Sequence, residues 1–91
     1  MIDLSDAAER AVTKWGGQSQ LNQVQEECAE LITAISHVRR GRAGAVTELI
    51  EETADMIIMM KQLMVILPKD RLEEELAKKL TRLEARLVDE S

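Results

Sequence analysis

The chain has 91 residues, a formal net charge of −5, one cysteine and one aromatic residue, Trp15. That length fits a single domain over 1–91, and a domain this short buries only ~60–65% of the surface its unfolded chain exposes. Seventeen acidic against twelve basic side chains argue against nucleic acid as a partner, because phosphate neutralisation needs a basic face and Trp15 alone makes no stacking platform.

The segment Met1-Ile2-Asp3-Leu4 lacks the basic and then apolar pattern of a leader peptide. With Cys28 unable to form an intramolecular disulfide, a cytoplasmic, reducing location is expected. A first helix is predicted over 5–15, with Ala7, Ala8, Ala11, Val12 and Trp15 on one side. Gly16-Gly17 should end it, and Ser19 is the expected N-cap of the next helix.

The second helix is predicted over 20–39. Leu21, Val24, Cys28, Leu31, Ile35 and Val38 recur at alternating spacings of three and four, which makes one apolar stripe. Arg40 to Gly44 reads as a turn, and a third helix follows over 45–67 until Pro68 stops it. Its run from Met56 to Met60 is apolar all round, as in a helix covered on every side. Three neighbours in so short a chain can hardly cover it, so a homodimer or homotetramer is expected, the alternative being a loosely packed, Met-rich core. The longer run 56–67 contains Lys61 and Gln62 and falls short of the ~20 residues of a membrane span, so no membrane partner is expected. Asp70 and Glu73 resemble a capping box opening a fourth helix, which carries Leu72, Leu76, Leu80, Leu83 and Leu87. The fold class is therefore all-α, a four-helix bundle with a central antiparallel hairpin.

Acid pairs at i,i+3 occur six times and are uninformative singly. Two stand out by position. With Val24 at zero and 100° per residue, the stripe of the second helix lies between about −40° and +60°, Glu27 near about −60° and Glu30 near about −120°. Both thus border the apolar stripe, whereas Glu26 points further out. On the third helix Glu48, Glu52, Asp55, Met59 and Gln62 form one row, with Glu52 and Asp55 where the helix turns apolar. In an antiparallel hairpin the two pairs differ in height by ~5 Å, about one turn. Four clustered carboxylates need cations, and all-oxygen ligands select Mg²⁺, Mn²⁺ or Ca²⁺. A di-iron bundle would use Glu-x-x-His twice, but Ala34 stands three residues before the single histidine, His37.

The strings Glu26-Glu27-Cys28-Ala29-Glu30 and Glu52-Thr53-Ala54-Asp55, separated by twenty-one residues, resemble the EExxE and ExxD signature of the MazG-like all-α nucleoside triphosphate pyrophosphohydrolases. The resemblance extends over all four helices, from Lys14-Trp15-Gly16 to the basic 78–86 segment of short, phage-type members. It implies Mg²⁺-dependent hydrolysis of a (deoxy)nucleoside triphosphate to monophosphate and pyrophosphate, as in nucleotide-pool house-cleaning, with Mn²⁺ as a substitute metal. Carried over, Glu27, Glu30, Glu52 and Asp55 are the metal ligands. Glu26 becomes an accessory carboxylate, and Glu27 or Glu30 can accept a proton from the attacking water.

Other residues have two readings each. Lys79, Arg82 and Arg86 share one flank of the last helix and could hold phosphate oxygens or pair with Glu75. Trp15 could stack on a base or plug the core, and Gln20 and Gln23 could bond a base or sugar or merely cap. Cys28 reads as a packing residue, since a nucleophilic role lacks an activating base, His37 as a structural or exposed one, and Arg39, Arg40 and Arg42 as complementing a helix dipole or meeting an incoming polyphosphate. The competing functional class is a non-enzymatic helical oligomerisation or interaction protein, working through the Met-rich third helix or the leucine-striped fourth.

Overall fold

A computed structural model describes residues 1–89, which form four helices: α1 (Leu4–Trp15), α2 (Gly17–Arg39), α3 (Ala45–Ile66) and α4 (Lys69–Asp89). Asp3 caps α1 from an extended backbone, its Oδ1 accepting from the Asp6 N–H at 2.8 Å. The α1–α2 turn is shorter than expected. Gly16 alone makes it, at φ +88° and ψ 149°, a region that only glycine adopts without strain. Its N–H donates to Val12 O at 2.8 Å, and its carbonyl accepts from Gln20 N at 3.1 Å. Gly17 is therefore already helical, and Ser19 lies inside the first turn of α2 instead of capping it.

The α2–α3 turn falls where expected. Arg40, Gly41 and Arg42 donate back to the carbonyls of Ser36, Val38 and His37, and Gly41 and Gly44 take up positive φ. Two polar contacts tie the long helices together. Gln20 Nε2 donates to Gln62 Oε1 in the buried interior, joining the first turn of α2 to the end of α3. His37 Nδ1 lies 3.0 and 3.1 Å from the Glu48 carboxylate oxygens, joining the end of α2 to the first turn of α3. At the other end of α3, Leu67 is extended and Pro68 O accepts from Leu72 N. Lys69 thus opens α4, and Asp70 sits within its first turn where a cap was expected.

The interior is built from small side chains. Ala8, Val24, Ala34 and Ala45 are buried, and among the described residues no large side chain is fully so. The buried face of α2 is rotated from the expected stripe toward Glu27: Gln20 and Ala34 are inside, while Leu21 and Ile35 are exposed. The physical reason is coverage, since α3 packs along α2 while α1 lies mainly on α3. α4 meets only α3 and buries none of its described residues, so one chain packs α1 to α3 together and leaves α4 outside. The radius of gyration is 16.2 Å, against roughly 12 Å for a compact chain of this length. Among the described residues no helix is long and apolar enough to cross a membrane.

Candidate metal centre

Glu27 and Glu30 stand one turn apart in the middle of α2, and Glu52 and Asp55 one turn apart in the first half of α3. Pairing of the two helices brings the groups together. Glu27, Glu52 and Asp55 each present a carboxylate oxygen, and these three oxygens lie within 4.8 Å of one another. Glu30 is exposed and sits beside them, near enough for its charge to act on both Glu27 and Glu52.

The surroundings of these oxygens set their electrostatics. Glu27 and Glu52 are half-buried, and Oε2 of each is enclosed without a hydrogen-bond partner. The other oxygen of Glu27, Oε1, accepts from Gln23 Nε2 at 3.2 Å. Burial first, and then the Glu30 carboxylate, push Glu27 above the ordinary glutamate range, while the Gln23 hydrogen bond works against that rise. Burial first, then Glu30, Glu27 and Asp55, raise Glu52 in the same way. Thr53, between the two acids of α3, gives no relief because its hydroxyl donates to Leu49 O at 2.7 Å. Among the described residues no lysine, arginine or histidine forms an ion pair with these acids, so an added cation or a proton would relieve their mutual repulsion.

The residues fit a hard divalent ion. The donors are all carboxylate oxygens, which exclude the soft-metal chemistry of thiolates and imidazoles. The two enclosed, unpartnered oxygens are what a cation would satisfy. Asp55 and Glu30 are exposed, so an ion held there stays open to solvent and to a further ligand.

Glu26 is exposed on the outer side of α2. Gln23 touches the centre through Glu27. Trp15 is exposed at the end of α1, with the Lys14 ammonium 5.4 Å from its ring centroid, so it plugs no core. Lys79 and Arg82 are exposed on α4, which has no contact with α2, so one chain does not carry them to the carboxylates. A shallow depression of about 240 Å³ adjoins the centre, lined by Ala29, Glu30, Thr33, Glu48 and Glu52. Glu48 and its partner His37 therefore belong to the surroundings of the site, an addition to the residues expected from the sequence. The available signal was Glu48 itself, one helical turn before Glu52 on the same row.

Set against protein-family models, curated proteins and solved structures, the chain matches none of them. The fold and the site by themselves define, over the described residues, an all-helical protein with a carboxylate cluster that could hold a metal ion.

Proposed function

We propose that the chain is a Mg²⁺-dependent nucleoside triphosphate pyrophosphohydrolase of the MazG-like kind, built on an antiparallel α2–α3 hairpin and acting as a homodimer or homotetramer. One observation carries the metal part of the reading: three carboxylate oxygens within 4.8 Å, with an enclosed oxygen of both Glu27 and Glu52 left unbonded. The reaction itself rests on the resemblance of the EExxE and ExxD strings.

In this reading Glu27, Glu52 and Asp55 hold the ion, with Glu30 completing the set. The ion, when bound, would neutralise the triphosphate, lower the pKa of a water and stabilise charge on the departing pyrophosphate. Water adds to the α-phosphorus and the α–β anhydride bond breaks, releasing monophosphate and pyrophosphate. Glu30 is solvent-exposed beside the centre and is suited to take the proton of that water. Gln23 orients the Glu27 carboxylate by its hydrogen bond. The depression beside Glu30 and Glu52 is lined by acids, so a polyphosphate enters it only with cations.

Incubation with a panel of nucleoside and deoxynucleoside triphosphates in Mg²⁺ should release pyrophosphate, and Glu27→Gln and Asp55→Asn should abolish it. No pyrophosphate from any nucleotide in either Mg²⁺ or Mn²⁺ would sink the enzymatic reading. A second reading draws on the exposed leucines of α4: a helical interaction protein whose acids only keep it in solution. An unchanged melting temperature on adding Mg²⁺ would favour it.

A further inference from the structure

An apolar surface lies uncovered at the opposite end of α3 from the α2–α3 turn. A groove of about 450 Å³ runs between the start of α1, the end of α3 and the first turns of α4. Ala8, Met64, Val65, Leu67, Leu72 and Leu76 supply its apolar lining, and Glu9, Lys61, Lys69 and Glu73 its charged groups. Beyond the groove the stripe of α4 continues outward with Leu80, Leu83 and Leu87, each about half exposed. α4 is thus apolar along one whole side and covered along almost none of it.

The amount of bare surface says what is missing. The chain exposes 7257 Å², against roughly 5,300 Å² for a compact chain of 10.2 kDa, and the excess of roughly 1,900 Å² surpasses the ~800 Å² per partner of a standard interface. The charge of α4 is divided along its length. Residues 69–75 hold four acids and two bases, a net −2, while 76–89 hold four bases and two acids, a net +2. A parallel pair of such helices sets like against like; an antiparallel pair sets opposite signs together.

We propose that α4 pairs antiparallel with α4 of a second copy, so that Leu80, Leu83 and Leu87 of each chain close the groove of the other. The pairing is isologous: one two-fold axis near the middle of α4 makes both contacts at once, and the assembly closes as a dimer. It goes beyond the homo-oligomer named above by fixing the face and the orientation, and it does not depend on the metal reading.

Sedimentation and light scattering should give a dimer or a multiple of it for the parent chain. Leu80→Glu and Leu83→Glu should each yield a monomer of unchanged helicity by circular dichroism, because neither leucine is buried within one chain. Ile32→Glu, on an exposed part of α2, should leave the α4 pairing in place. Orientation is read from a spin label at Ala85→Cys in a Cys28→Ser background. Antiparallel pairing puts the two labels about 20 Å or more apart, and parallel pairing about 10 Å. A parent chain that stays monomeric at high micromolar concentration overturns the proposal. So does a dimer indifferent to both leucine substitutions, or a label separation near that of the parallel pair.

Discussion

Glu27 and Glu52 were distinguishable in the sequence by their place beside apolar residues, but not by their spacing, which four other acid pairs share. What sets them apart physically is that each has an oxygen enclosed without a partner. Removing one of these charges has opposite effects on stability and on metal binding. Glu27→Gln should raise the melting temperature of the metal-free protein, because it removes a half-buried charge and, secondarily, repulsion by Glu30 and Asp55. The same substitution should lose the Mg²⁺-dependent rise in melting temperature together with pyrophosphate release. Calorimetry and an activity assay on one preparation check both.

The pH dependence follows from the direction of the two shifts. Glu27 and Glu52 bind protons more tightly in the fold than in the unfolded chain. Their contribution to stability is therefore fully present below the ordinary glutamate range and is lost as pH rises through their raised folded values. Metal-free protein should melt at a lower temperature at about pH 7 than at about pH 5, so far as these two groups govern it. Since Mg²⁺ competes with those protons, its stabilising effect should be larger at the higher pH. Thermal melts across that range, with and without Mg²⁺, read this directly.

At the scale of the helices, α2 and α3 are held in register at both ends by pairs of polar side chains. Gln20–Gln62 is buried, and Gln62→Ala leaves Gln20 enclosed without its acceptor, at a cost of ~1–3 kcal/mol in urea unfolding. His37–Glu48 is more exposed and its loss should cost less. The helices themselves were legible, since periodicity, glycines and Pro68 punctuate the chain clearly. Their starts were less so. Ser19 and Asp70 look like caps by residue type, yet a single glycine at positive φ and the carbonyl of Pro68 begin the helices earlier. The buried face of α2 lies about 50° from the centre of its apolar stripe for a related reason. Hydropathy ranks Leu21 and Ile35 above Gln20 and Ala34, but close approach of α3 favours the small side chain and the bonded amide.

At the scale of the molecule, the described residues include no fully buried large side chain and one projecting helix, a small core for a fold to rest on. Its melting temperature should accordingly rise with protein concentration, as for any fold whose association is linked to folding, and Leu80→Glu should remove that dependence. Differential scanning calorimetry over a wide range of concentration measures it. The all-helical class, four elements and the pairing of Glu27 and Glu30 with Glu52 and Asp55 on neighbouring helices were determined by the sequence, because each depends on local periodicity and a short turn. Only the tertiary structure decided that three of those acids converge within 4.8 Å while Glu30 stands beside them, and that Lys79 and Arg82 lie on a helix apart from α2. Convergence depends on how closely α2 and α3 approach, and the course of α4 on what the rest of the chain can cover. Neither quantity is contained in the spacing of residues along one helix.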